Sequence, residues 1–474
     1  MRLGSKAADT ITIEGDTVIG MDDVVEMTPL ADADGAAWAL APDLIVTHAG
    51  THADRCLLVG KDGRSRGLVP RARAEALGLP IERLPHRALL PGFVNAHSHV
   101  FQRLLRGRIG YGSAGADHDS FWTWRDRMYA EAATLTPDSL YAVATDCYHE
   151  MLGAGYTAVG EFHYVHHAPD GAPYDDPLAM SRAVMAAASE SGIRLALLPA
   201  AYQRAGFDGR SHPLQRRFYF PNADGYLRLV DDLRSALRDP RQTVGVAPHS
   251  VRAVSEEWLA PIARYAREQG LVLHVHASEQ VAEVEDARRQ RGRTPIGILA
   301  GQGVLGRRTT LVHATHATEE DCRLIEESGT RVCVCPTTEG DLGDGIAPYA
   351  SFVAHGIPLA IGSDSQARID PLEELRWAEW SARMRYGRRR VLTTGPKSPG
   401  ALLLEAGTRG GAVSLGLDAG TLDPGQWADL VAVDLDHPSL RGAALDDLRD
   451  TLIFGAGREV VTDTWVGGRR IARI

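Results

Sequence analysis

Residues 90–102 read LPGFVNAHSHVFQ. An apolar run with the character of a buried strand ends in two histidines one residue apart, His97 and His99. Alternate side chains of a strand point to the same face. The two imidazoles are therefore expected to aim at one point where a buried strand surfaces. What they aim at depends on the rest of the chain.

Downstream, strands and helices alternate. A helix is predicted from Thr136, with Thr as N-cap, Pro137 in the first turn and Gly153 near the end. YTAVGEF, from Tyr156, is the second strand. A helix through AMSRAVMAAASES stops at Gly192, and IRLALLP is the third strand. A helix around YLRLVDDLRSAL leads to TVGVAP. Ser255 is expected to cap the next helix, which ends at Gly270 before LVLHVHA. TTLVHA is the sixth strand. Thr318 followed by Asp321 resembles a capping box, and that helix stops at Gly329. RVCVCP and IPLAIGSD are the seventh and eighth strands.

These strands are short, rich in Val, Leu, Ile and Ala, and apolar on both faces. That pattern implies a parallel sheet covered by helices. Eight units within residues 89–418 fit an α/β fold of the (β/α)8 TIM-like barrel type. An open doubly wound sheet would usually carry a glycine-rich phosphate loop after its first strand. Here that position holds HSHVFQ. Residues 1–88 and 419–474 read as strand-and-turn, with TITIEG, AWALAP and RCLLVG at one end and GTLDPGQWADLVAVD at the other. They are expected to form one small β-sandwich built from both termini.

The bulk properties exclude several classes. The chain has 474 residues, enough for a large domain and a smaller one. A net charge of −10 argues against a nucleic-acid partner, which calls for a basic surface. No run approaches the ~20 apolar residues of a membrane span. The N-terminus has no continuous apolar core of a signal peptide. Five scattered cysteines, an odd number, do not suggest a disulfide framework, and Cys333 and Cys335 read as small buried strand residues. A cytoplasmic enzyme is expected.

The catalytic face of a barrel lies at the C-terminal ends of its strands. There the sequence places His97 and His99, Glu161 with Tyr164 beyond it, His249 with Arg252, His276 with Glu279, His313, and Asp364. Each taken alone has an ordinary structural role: a hydrogen-bonded histidine, or an aspartate capping a helix. Converging on one mouth, histidines and an aspartate supply the neutral imidazoles and anion that zinc and related divalent metals prefer.

PGFVNAHSH, HVHASE, LVHATH and IGSDS resemble the metal-dependent amidohydrolase superfamily, in its deaminase branch. The two-metal members commonly bridge their ions with a carboxylated lysine. The only lysines here are Lys6, Lys61 and Lys397, none at an interior strand end. The resemblance therefore implies one divalent metal ion held by His97, His99, His276 and Asp364. Zinc is favoured, with iron or manganese as alternatives. It also implies catalytic roles for Glu279, His313 and Asp364. Asp364 would accept a proton from the activated water, His313 would hydrogen-bond that water or ligate weakly, and Glu279 would carry a proton to the leaving nitrogen.

HSHVFQRLLRG, SFWTWRDRMY, VGEFHYVHH, APHSVRAV, CPTTEGDLGDGI and GSDSQARIDPLEELRW resemble more closely the formimidoylglutamate deiminases, a family of histidine breakdown. By that resemblance Gln102, Arg125, Tyr164, His249 and Arg252 contact the substrate, a small dicarboxylate, and the protein is a homodimer. Arginine suits such a substrate because its planar fork grips a carboxylate at two points. Arg103 and Arg106 read as helix-surface residues, and His163, His166 and His167 as a cluster without a role. One departure stands out. EGDLGDG at 339–345 replaces an expected EANLGDG-like stretch, so Asp341 would add negative charge near the site if its loop faces inward. The rival expectation is a related deaminase or chlorohydrolase acting on a nucleobase or another heteroaromatic ring. A barrel with no metal, serving in assembly, is disfavoured by the complete ligand set.

Overall fold

The computed structural model describes residues 35–108, 121–395 and 398–473. The expected strand TITIEG, together with Lys6 and Lys397, lies outside the described residues.

Eight parallel strands close into a barrel. They are β1 (Phe93–Ser98), β2 (Tyr156–His163), β3 (Arg194–Ala201), β4 (in two pieces, Gln242–Val244 and Ala247–Pro248), β5 (Leu273–Ala277), β6 (Thr309–His313), β7 (Arg331–Val334) and β8 (Leu359–Ile361). Every residue of β1, β2 and β3 is buried, as helices outside and side chains inside require. β1 to β4 form one hydrogen-bonded arc and β5 to β8 another. Two parallel seams join the arcs. Ser98 bridges to Asp364 at one, and Val246 to Leu273 and Ser250 to His276 at the other. Both seams run through the predicted site. At the first, the His99 N–H donates to the Asp364 carbonyl and the Asp364 N–H to the His97 carbonyl, each at 3.0 Å.

The helix punctuation follows the chemistry read from the sequence, with one exception. Thr136 caps Pro137–Gly153 and forms a reciprocal box with Ser139. Thr318 and Asp321 form the expected box on Glu319–Ser328, and Gly192 and Gly329 end their helices in left-handed backbone. Ser255 occupies the N-cap position of Glu256–Glu268, but its side chain makes no capping hydrogen bond. Its backbone N–H is instead taken by Gln203 Oε1 at 2.9 Å.

The β domain does draw on both ends of the chain. Its strands form one continuous hydrogen-bonded sheet of eight. At its centre Leu430–Asp434 lies antiparallel to Ile81–Pro91, with Leu430 opposite Pro91 and Asp434 opposite Arg87. Ile81–Pro91 in turn lies parallel to Ala36–Val46. Ile81–Pro91 runs directly into β1, so the sheet hands the chain to the barrel without a linker. A buried ion pair ties the two parts together. The Arg194 guanidinium, at the start of β3, donates twice to Asp429, at 2.8 and 2.9 Å. Asp429 also accepts the Gly467 N–H at 2.6 Å.

Candidate active site

The last residues of β1 swing both imidazoles inward. His97 and His99 bring their Nε2 atoms to 3.1 Å from each other, and His276, from β5, brings its own to 3.1 Å from that of His97. Asp364 Oδ1, three residues past β8, stands 3.3 Å from both His97 Nε2 and His99 Nε2. All four donor atoms lie within 4.8 Å of one another, and all four residues are buried. Bonds of about 2.0–2.1 Å from one ion to tetrahedral ligands would set the ligands about 3.3 Å apart. The measured edges match that spacing.

Protonation fits as well. His99 Nδ1 faces the Phe162 carbonyl at 2.7 Å, and His276 Nδ1 faces the His249 carbonyl at 3.0 Å. Donation there fixes the tautomer and leaves each Nε2 with a free lone pair. Burial pushes His97 down to about 3 and lowers His99 and His276. Burial opposes the charge of Asp364, yet the His97 hydrogen bond and the surrounding imidazoles hold its carboxyl well below the usual range. Three neutral imidazoles and one carboxylate form a donor set fit for a divalent metal ion.

The backbone is bent to make this possible. His313 and Asp364 have φ of 72° and 46°, and Ser278, just before Glu279, has 54°. These are left-handed values that side chains other than glycine seldom adopt, though His and Asp tolerate them best. Gly362 is needed for a different reason. A Cβ there would fall 2.7 Å from both the Cβ and the carbonyl oxygen of His97. Its absence lets the end of β8 lie against β1.

His313 stands opposite the donor set. Its Nε2 is 3.7 Å from Asp364 Oδ2 and 3.8 Å from Glu279 Oε1. Its Nδ1 is 3.3 Å from Glu339 Oε1. Burial works against a charge on His313, but Glu279, Glu339 and Asp364 together raise it well above the ordinary histidine value. Glu279 is raised by burial against the pull of His313 and Arg252. A carboxyl that holds its proton beside a metal site is suited to general acid work.

A cavity opens above these groups. It is lined by the predicted contacts Gln102, Arg125, Tyr164, His249 and Arg252. Gln102 donates to the Tyr164 hydroxyl at 2.8 Å. Arg125 lies on the helix Phe121–Thr134 and packs over the Tyr129 ring. Arg252 is 3.4 Å from Glu279 Oε2 and 3.5 Å from Glu283 Oε1. Phe121, Trp124, Tyr129 and Tyr202 complete aromatic walls.

A model of the amidohydrolase family matches residues 88–471. The chain belongs to the amidohydrolase family. It is 40% identical over 408 residues to a formimidoylglutamate deiminase of Pseudomonas aeruginosa, covering 86% of this chain and 89% of that protein. An amidohydrolase from Brucella melitensis superposes with a TM-score of 0.82 at 33% identity, covering 91% of this chain and 94% of that one. An adenosine deaminase from Xanthomonas campestris, solved with bound zinc, gives 0.75 at 26% identity and 92% coverage of each chain.

In this amidohydrolase several residues take places the sequence did not indicate. Glu161 does not face the mouth. Phe162 packs against the rings of His97 and His276, while Glu161 accepts from Ser98 Oγ at 2.7 Å and the Val100 N–H at 2.9 Å. Asp341 is exposed and is not among the residues lining the cavity. The inward carboxylates of EGDLGDG are Glu339 and Asp344, which are buried. Burial and the neighbouring Glu279 push Asp344 up to about 9. Glu339 accepts both from His313 and from the Cys335 N–H, at 2.9 Å, and Glu283 accepts the Glu279 N–H at 3.0 Å. His166 and His167 are spent on the carbonyls of Ala200 and Tyr219, and among the described residues His163, His166 and His167 form no candidate metal group. Arg103 and Arg106 pair with Glu150. Lys61 is exposed in a turn of the β domain, far from any bridging position. All five cysteines are free and buried.

Proposed function

We propose that this amidohydrolase hydrolyses N-formimino-L-glutamate to N-formyl-L-glutamate and ammonia. The observation that carries the proposal is the polarity of the cavity. Glu279 and Asp364 stand on its floor, with Glu339 behind His313. Two arginines, Arg125 and Arg252, stand in its wall. A formamidine is a cationic base, and the substrate joins one to two carboxylates. Floor and wall match those two ends. The likeness to the Pseudomonas aeruginosa deiminase supports the same substrate.

His97, His99, His276 and Asp364 would hold the ion, and zinc suits three imidazoles and a carboxylate. When bound, the ion supplies a water activated at neutral pH. Asp364 and His313 would flank the place of that water, Asp364 taking its proton and His313 hydrogen-bonding to it. Water oxygen adds to the imino carbon, and Glu279 delivers a proton to the departing nitrogen. The C–N bond to that nitrogen breaks, ammonia leaves, and the carbon becomes a formyl carbonyl. Gln102, Tyr164 and His249 orient the chain of the substrate.

The aromatic walls favour a second reading, a flat heteroaromatic substrate, since such rings stack on aromatic side chains. Such a ring would carry no carboxylate for the two arginines to grip. Ammonia release is the test, measured on N-formimino-L-glutamate and on guanine, adenosine and cytosine, with the products identified. N-Formyl-L-glutamate as product, with little turnover of the nucleobases, is expected. Comparable rates on the nucleobases, or release of formamide and glutamate, would overturn the proposal. A homodimer and a cytoplasmic location belong to the same proposal and rest on the family resemblance. Among the described residues no helix is long and apolar enough to cross a membrane.

A further inference from the structure

A second donor set adjoins the first and shares a residue with it. His313 at the end of β6, Cys335 just past β7 and Asp364 past β8 bring an imidazole nitrogen, a thiol sulfur and a carboxylate oxygen within 4.8 Å of one another. We propose that these three residues form a second, thiolate-containing metal site, and that filling it switches the enzyme off.

The two oxygens of Asp364 are divided between the sets. Oδ1 faces His97 and His99 at 3.3 Å, and Oδ2 faces His313 at 3.7 Å. One carboxylate can therefore bridge two ions, which such bridges hold about 3.5–4 Å apart. His313 has the outer partner expected of a ligating imidazole, because Glu339 engages Nδ1 and leaves Nε2 to face inward. The same glutamate fixes the backbone of Cys335. The thiol sits among the side chains of Ala96, Val312, Cys333 and Ala360. It also faces Gly362, where a Cβ would come 3.1 Å from its sulfur. The three ligands leave adjacent strands of the barrel, so side-chain movements of about 1 Å would bring them to the spacing of a tetrahedral site.

The donors are one nitrogen, one oxygen and one sulfur. That mixture selects a borderline-soft ion such as Zn²⁺ or Cd²⁺ over Mg²⁺ or Ca²⁺. On binding, the S–H bond of Cys335 and the Nε2–H bond of His313 break, the freed sulfur and nitrogen electron pairs become the bonds to the metal, and both protons leave to the buffer. His313 then spends Nε2 on the second ion and can no longer serve the water of the first. Loss of activity at excess metal follows. The inference depends on the first site only through the shared Asp364.

The test starts from the enzyme carrying one equivalent of metal, whose retention on dialysis and activity on N-formimino-L-glutamate are measured beforehand. Those two readouts judge the first site and the proposed reaction separately. Cd²⁺ is then added. A second equivalent is expected to bind, with a thiolate-to-cadmium absorption band in the ultraviolet growing as ammonia release falls. With Zn²⁺ as the inhibitor, Cys335→Ser and Cys335→Ala are expected to keep the starting activity and to need roughly 10–100-fold more zinc for the same inhibition. A second equivalent bound without the thiolate band would overturn the proposal. So would folded Cys335 variants inhibited at the parent's zinc concentration. The cadmium spectrum of the parent needs no variant, so poor folding of either substitution leaves the outcome decidable.

Discussion

Glu339 Oε1 lies 3.3 Å from His313 Nδ1, at the far side of the imidazole from the metal ligands. This contact decides which nitrogen of His313 faces the reacting water. Glu339→Gln keeps the shape of the side chain and removes its charge. The imidazole then loses one of the anions that favour its charged form. Activity is expected to fall about 10–100-fold, chiefly in kcat, with the pH profile displaced. Steady-state kinetics between pH 6 and 9, as about the range of a histidine or carboxyl perturbed by its site, would show it. An unchanged profile would leave Glu339 a purely structural residue.

Removing the metal is expected to cost both activity and stability. The folded protein offers the four-donor set preassembled, and an ion that binds only the folded state stabilises it by about 2.7 kcal/mol at a free concentration of 100 Kd. Dialysis against a chelator should abolish ammonia release and lower Tm, and one equivalent of Zn²⁺ should restore both. His97→Asn should show the same low Tm with or without zinc.

The two arginines of the cavity should fail in different ways. Arg125→Lys replaces a planar fork with a point charge. KM for the dicarboxylate should rise with little change in Tm, by a loss of about 1.5–3 kcal/mol, the worth of a hydrogen bond to a charged group. Arg252 also neutralises Glu283, whose side chain is 0% exposed. Arg252→Gln leaves that carboxylate buried without a cation. Breaking a buried pair in this way costs about 3–5 kcal/mol, so Tm should fall together with kcat. Equal Tm values for the two variants would contradict the distinction.

Burial pushes Glu161 up to about 8. In the unfolded chain it titrates near an ordinary ~4.3. Between those values the folded state holds a proton that the unfolded state has released, so its contribution to stability is full below the lower value and is lost as pH rises through the upper one. Glu161→Gln does not titrate and can still accept from Val100 N–H while donating to Ser98 Oγ. The Tm of the variant relative to the parent should therefore climb from pH 5 to pH 8.5, as its relative unfolding free energy rises by up to about 1.4 kcal/mol per pH unit. Parallel Tm curves would show that Glu161 is charged in the folded protein.

Much of the site was legible because it depends on local rules. The two-residue spacing of His97 and His99 is strand periodicity, and His276, His313 and Asp364 mark strand ends that apolar runs make visible. The parts that could not be read are contacts made through space from loops. Nothing in PTTEG shows that Glu339 turns back toward β6, and nothing in HVHASEQVAE shows that Glu283 reaches Glu279. Glu161 was misplaced at the mouth because alternation along a strand fixes faces only relative to one another, and here Phe162 takes the inner one. Ser255 has the residue type and the position of a cap without the bond, since type alone does not set the side-chain torsion. The left-handed backbone at His313 and Asp364 left no trace, because neither is glycine. Likewise, strand-like ends announced a β domain but not that its strands would join in one sheet.

The buried pairing of Arg194 with Asp429 and of Ile81–Pro91 with Leu430–Asp434 has a consequence for synthesis. Chains emerge from the ribosome N-terminus first, and early domains usually fold before later ones appear. Here an early strand stays an unpaired edge, and an early guanidinium lacks its counter-charge, until residues 429–434 have been made. The open edge of Ile81–Pro91 can pair with strands of other chains until Leu430–Asp434 covers it.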